Sequence, residues 1–148
     1  MARKPVKINK EVGKLASLIL TGTMLVFDPA SRKLGYSYYV NGEFEESGPI
    51  QLDEKKSISH RLNELTHIIT AFPTVDVLAV ERIRGSRAHI YLTWSVGVIV
   101  AGGYCNNLIE VPVSTWHKFA GKGHVKSDEA DAVAMGDCLI AMARGTFK

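Results

Sequence analysis

Cysteine is scarce in this 148-residue chain, with only Cys105 and Cys138. Two thiols cannot build a disulfide framework, and neither sits at a zinc-ligand spacing. They read as reduced, mostly buried thiols of a cytoplasmic protein. Long apolar runs are missing too. The longest candidate, 90–103, is about 14 residues and is broken by Trp94, Ser95 and glycines. A bilayer needs about 20 such residues, so the run reads as a buried helix and no membrane association is expected. The apolar run Leu15–Leu20 is too short for a secretory leader and has no small-residue cleavage site. Repeats and low-complexity linkers are absent as well, and the length suits one domain with one core.

Charge of one sign is not in large excess: 18 Lys and Arg against 15 Asp and Glu give a net +3. The distribution is more telling than the total. Arg3, Lys4, Lys7, Lys10 and Lys14 crowd the first segment against Glu11 alone. A second group comprises His117, Lys118, Lys122, His124 and Lys126, and a third Arg82, Arg84 and Arg87. Basic clusters beside clustered acids point to a polyanionic partner, although each cluster could also be a solvated face.

The hydropathy pattern predicts the elements in turn. Residues 1–20 read as a basic lead-in, a helical turn or an arm, ahead of a folded domain over 21–148. Met24–Phe27 is a buried strand, Leu34–Val40 a second, and Glu43–Gly48 a third with edge-like polarity. Asn41-Gly42 is a tight-turn signal between the last two. Ser57–Phe72 has helical spacing of Ile58, Leu62, Leu65, Ile68 and Ile69, with a serine to cap it and Pro73 to stop it. Val75–Val80 is a fourth strand ending at Glu81. A helix from about Arg87 to Gly102 is apolar nearly all round, so it needs cover on two sides, a sheet on one and a partner subunit on the other. Leu108–Val111, a turn with a short helix over Pro112–Phe119, a glycine- and lysine-rich loop and a helix over Ser127–Ala143 complete the chain. The expected fold is α/β: a five-stranded mixed sheet, with a three-strand antiparallel meander, parallel later strands and helices on both faces.

Two of the apolar strands end in a carboxylate, Asp28 and Glu81. Sites in sheets of this type form at the carboxyl ends of the strands. The last helix opens with Asp128 and Asp131, three apart and so on one face, which continues as Met135, Cys138 and Met142. Four carboxylates converging at one sheet end would repel one another unless a cation lay between them, and oxygen-only ligation selects Mg²⁺ or Mn²⁺. Two such ions can hydrolyse a phosphodiester. Singly, each acid has a plainer reading. Asp28 before Pro29 suits a turn, Asp128 and Glu129 suit a helix N-terminus, and Glu81 could pair with Arg82 or Arg84.

In order and spacing, these motifs resemble the RuvC-like Holliday junction resolvases over Thr23 to Arg144. The resemblance rests on Asp28-Pro29-Ala30 followed by Leu34-Gly35-Tyr36, on Val80-Glu81, on Pro112-Val113-Ser114-Thr115-Trp116-His117-Lys118 with Gly121-Lys122-Gly123, and on Lys126-Ser127-Asp128-Glu129-Ala130-Asp131-Ala132. It implies a ribonuclease H-like fold over 21–148 and an Mg²⁺-dependent endonuclease, with about two ions per site and Mn²⁺ able to substitute. It further implies a homodimer that nicks four-way junctions and leaves 5′-phosphate and 3′-hydroxyl ends, and the all-round apolar helix 88–101 is the expected dimer interface. By position, Asp28, Glu81, Asp128 and Asp131 are the metal ligands. Lys118, Lys122 and Lys126 match basic positions near phosphates, with Lys126 suited to stabilising transition-state charge and Lys118 to plain phosphate contact. Arg82, Arg84 and Arg87 join them as expected DNA contacts.

The chain departs from the family at three places. Ala30 stands for a usual glycine. Arg84 stands where many bacterial members carry an aromatic that intrudes between bases, which bears on four-way selectivity. The basic lead-in is unusual for the bacterial enzymes, and a compact, less selective form implies a bacteriophage-type member acting in a host cytoplasm on forks and flaps as well. Two other readings compete: a YqgF-type nuclease of ribosomal RNA precursors, favoured by Arg32-Lys33-Leu34-Gly35, and a junction-binding scaffold without catalysis. Trp94 and Trp116 read as core residues that could stack on bases, and His117 and His124 as surface residues that could touch phosphate.

Overall fold

Strand and helix periods sort the core residues onto two sides of one sheet. The computed structural model describes residues 7–29, 33–82, 90–102, 105 and 107–148. The strands are β1 (Thr23–Asp28), β2 (Lys33–Val40), β3 (Glu43–Gln51), β4 (Val77–Glu81) and β5 (Leu108–Val111), in the order β3-β2-β1-β4-β5. β2 pairs antiparallel with both β1 and β3, whereas β4 runs parallel to β1 and β5 parallel to β4. This is the expected five-stranded mixed sheet. Asn41 and Gly42 take φ of 53° and 75°, the left-handed pair that a two-residue hairpin between twisted strands requires.

Helices cover both faces. α2 (Ile58–Ala71) and α3 (Ile90–Gly102) pack on one, α1 (Ile8–Thr21), α4 (Val113–Ala120) and α5 (Asp128–Ala143) on the other. Alternation along the strands divides the core accordingly. Leu25, Phe27, Leu78 and Val80 join Leu65, Ile69 and Ile99, while Met24, Val26, Val77 and Ala79 join Met135, Cys138 and Leu139. Ser57 and Ser127 cap α2 and α5, each side-chain oxygen accepting from a backbone N–H three residues on.

The segment before β1 differs from its sequence reading. Residues 8–21 form a full helix whose Val12 and Ile19 are buried against α5 and the sheet. The lysines masked an apolar stripe of Ile8, Val12, Leu15 and Ile19 at helical spacing. α1 starts near Arg82 and Glu110, whose charges act on its Glu11, and ends beside the opposite sheet end, where Asp76 accepts from the Thr23 N–H at 2.9 Å. The all-round apolar helix is α3 over its described part. Ser95 and Ile99 are buried, whereas Trp94 is 43% and Val100 37% exposed. Arg84, Arg87 and Ala88 lie outside the described residues. Of the thiols, Cys138 is buried and Cys105 half-buried, both free. Among the described residues no helix is long and apolar enough to cross a membrane.

α5 lies along β2 in matched steps. A Cβ at Gly35 would overlap the backbone of Asp128 and Glu129, Ser37 Oγ donates to the Ala132 carbonyl at 2.7 Å, and the Tyr39 ring occupies the space where Gly136 lacks a side chain. Tyr39 Oη lies 3.0 Å from the Val133 carbonyl and 2.8 Å from Asp137 Oδ1. Gly136→Ala therefore drives a methyl into a pinned ring. It should lower unfolding free energy by about 1–3 kcal/mol, measured by urea denaturation, and Tyr39→Leu in the same background should recover part of that loss.

Candidate functional site

Pleat alternation decides where the two strand-end carboxylates point. Asp28 follows Met24 and Val26, and Glu81 follows Val77 and Ala79, so both face the α5 side of the sheet. β1 and β4 are parallel neighbours in register up to Phe27 and Val80, which brings the two acids to adjacent strand ends. β2 pairs Gly35 with Asp28, and over Gly35 sits the first turn of α5, carrying Asp128 and Asp131. The four predicted acids are therefore brought to one end of the sheet from β1, β4 and α5.

Their electrostatics follow from that crowding. Asp28 is 8% exposed. Burial first, then the charges of Glu81, Asp131 and Asp128 and a hydrogen bond with the Asp128 carboxyl, push its pKa up to about 9. Burial also raises Glu81, opposed by a hydrogen bond from Trp116 Nε1 at 2.9 Å and reinforced by Asp131. Asp131 Oδ1 is 2.6 Å from His124 Nε2. Trp116 packs edge-on against both His117 and His124, with ring centroids 4.1 and 5.5 Å apart.

These contacts bear on whether the acids suit a metal. Among the described residues, no three His, Cys, Asp or Glu side chains are arranged to hold a metal ion. Asp131 is engaged by His124, Glu81 by Trp116, and Asp28 by Asp128. The donor chemistry nevertheless suits a hard divalent cation. All four groups are carboxylates, and an Asp28 held protonated by burial and then by its neighbours marks a place where added positive charge lowers the energy.

The basic residues divide. Lys122 and Lys126 join Asp131, His124, His117 and Trp116 around a cavity of about 330 Å³ beside the acids. Lys118, on the other side of α4, lines a separate cavity with Ile8 and Asn9 of α1. Arg82 does not reach the cavity beside the acids. Its Nε stands 3.5 Å from Glu110 Oε2, and its charge also acts on Glu11. Arg84 and Arg87 lie outside the described residues. Two partners of the acids had plainer sequence readings. Trp116 is core, as its size suggested, yet its one polar atom is spent on Glu81. His124 read as a surface residue. Its approach to Asp131 depends on how the loop 121–127 folds back over α5, which local periodicity does not encode.

Asp28 makes stability depend on pH. Its folded pKa lies above the unfolded value of about 4. The native state thus keeps a proton that the unfolded chain releases, and stability falls as pH rises from about 4 towards about 9. Asp28→Asn removes that loss. In chelator it should be more stable than the parent at pH 8, by on the order of 2 kcal/mol, with the gain vanishing near pH 4. Equal stability at pH 8 would contradict the crowding.

No family model and no curated protein sequence matches the chain. Solved structures do match. The fold resembles that of Thermus thermophilus RuvC in complex with Holliday junction substrate, with a TM-score of 0.65 and 12% identity over 85% of this chain and 98% of that one. It resembles another Thermus thermophilus RuvC structure with a TM-score of 0.60 and 15% identity at the same coverage. With its sheet order, its helices on both faces and nearly the whole of the RuvC chain matched, this protein has the RuvC-type, ribonuclease H-like fold.

Proposed function

We propose that this chain is a structure-selective endonuclease that cuts four-way and other branched DNA with Mg²⁺ held by Asp28, Glu81, Asp128 and Asp131. The observation that carries this reading is the convergence of those carboxylates around a buried Asp28 beside a lysine-lined cavity. RuvC of the same fold has been captured on a Holliday junction substrate, which supports a branched duplex as the partner. Bound Mg²⁺, about two ions per site, would supply an activated water and neutralise charge on the leaving oxygen, giving 5′-phosphate and 3′-hydroxyl ends.

The chain's own residues have distinct tasks in this scheme. The four carboxylates would hold the cation, and Asp28 would give up its proton to do so, so ion binding would strengthen with pH. Trp116 and His124 fix the orientation of Glu81 and Asp131 by one hydrogen bond each. Lys122 and Lys126, which line the cavity, would attract the phosphate backbone, and Lys126 would offset transition-state charge. A homodimer through α3, whose Trp94 is exposed, would present two such sites to the opposed strands of one junction.

The decisive assay is nicking of labelled four-way, forked and linear DNA. Wild type with Mg²⁺ should cut the four-way junction in symmetric pairs, and Mn²⁺ should substitute. Asp128→Asn should lower the rate by at least about 100-fold, and chelator should abolish cutting. Metal-dependent cutting of structured RNA alone would favour ribosomal RNA processing. Binding without cleavage under any metal would leave a junction scaffold. Sedimentation tests the dimer separately: Trp94→Glu should give a monomer, and a wild-type monomer would remove that part of the proposal.

A further inference from the structure

α1 carries an exposed basic face of its own. Lys7, the N-cap of α1, and Lys10 and Lys14 within it recur every three to four residues, so they share one helix face, and all are exposed. The opposite stripe, Ile8, Val12, Leu15 and Ile19, packs on the core and fixes how the lysines are presented. α1 begins at the same end of the sheet as the carboxylates, since Glu11 feels the charges of Arg82, which follows β4, and of Glu110.

α4 lies between the start of α1 and the site. Trp116 and His117 line the cavity beside Asp131, whereas Ser114, Thr115 and Lys118 of the same short helix line a second cavity with Ile8, Asn9 and Lys148. Lys122 and Lys126 therefore stand on one side of α4, and Lys118 and Lys148 on the other, where the start of α1 meets them through Ile8 and Asn9. Among the described residues, none of these lysines lies within salt-bridge distance of an acid. Glu11, the one acid of α1, is acted on by the charges of both Arg82 and Lys14, so it offsets part of one of the three lysines. Like charges aligned on one face of a rigid helix repel one another, and an anionic partner laid along that face relieves the repulsion.

We infer that the lysine face of α1 is a second nucleic-acid contact, which grips the phosphate backbone of a duplex arm beyond the strand being cut. Lys7 to Lys14 spans about 10 Å along the helix, and a duplex carries about one charge per 1.7 Å of its axis. One face of α1 can therefore meet two or three phosphates without reading a base. The contact would raise affinity for any branched duplex with arms long enough to reach α1, irrespective of sequence. It would add nothing to the chemical step. This inference rests on the DNA-cutting reading for its partner and on α1 for its surface.

The test is the triple variant Lys7→Gln/Lys10→Gln/Lys14→Gln, which keeps helix propensity and touches no group at the acids. Against a long-armed four-way junction in Ca²⁺ or chelator, its affinity should fall at least about tenfold near 0.1 M salt, and its salt slope should flatten by about 2. The Lys→Arg triple should restore both. On a junction with arms trimmed short of α1, wild type and variant should bind alike. With saturating enzyme and Mg²⁺, single-turnover cutting should agree within about twofold. Unchanged affinity and slope on long arms, in a variant with unaltered thermal melting, would overturn the inference even if wild type cuts. If wild type cuts nothing yet the slope still flattens, the surface stands and the nuclease reading falls.

Discussion

The site depends on the seat of α5 against β2. Successive α5-facing positions of that strand, Gly35, Ser37 and Tyr39, meet α5 at Asp128 and Glu129, at Ala132 and at Gly136. Two strand residues rise about 6.7 Å and four helix residues about 6 Å, so the two elements stay in step over these contacts. Each meeting is tight for a different reason. Gly35 gives up its side chain to admit the helix backbone, Ser37 is buried but satisfied by a carbonyl, and Gly136 gives up its side chain to admit the Tyr39 ring. Slide the helix by one turn and Asp128 and Asp131 leave the sheet end while Tyr39 collides with a side chain.

That seat puts charge where water is excluded. Asp28 gains nothing in stability from its surroundings, because burial and the neighbouring carboxylates both disfavour its charged form. Side chains around the acids offset part of the strain, Trp116 by donating to Glu81 and His124 by holding Asp131. The arrangement folds in spite of that electrostatic cost, and the proposed cation would relieve it, a balance typical of sites whose function costs stability.

The surface around the acids is organised by α4. Its Trp116 serves the carboxylates, its Lys118 faces α1, and the loop after it carries Lys122, His124 and Lys126 over α5. That loop can turn because Gly121 takes φ of 74° at the end of α4 while its N–H closes onto His117. One eight-residue helix thus separates a region suited to chemistry from one suited to holding an anionic backbone.

Much of this was legible from local pattern. Strand boundaries, the Asn41-Gly42 hairpin, the serine caps and the pairing of Asp128 with Asp131 on one helix face depend on periodicity and on side-chain chemistry within a few residues. The direction of Asp28 and Glu81 follows from counting alternate residues along apolar strands. What sequence could not decide are contacts between residues distant along the chain. Glycine at 35 and at 136 carries no sign of what fills the vacated space, and His124 carries no sign that a loop returns it to Asp131. The helix at 8–21 was hidden for another reason, since its lysines advertise solvent while its apolar stripe needs a surface that exists only once α5 and the sheet have assembled. The approach of Arg82 to Glu110 likewise joins residues that lie far apart along the chain. Local sequence determined which residues could do the chemistry. Tertiary packing decided which of them share one low-dielectric space, because only there do separated charges act on one another strongly.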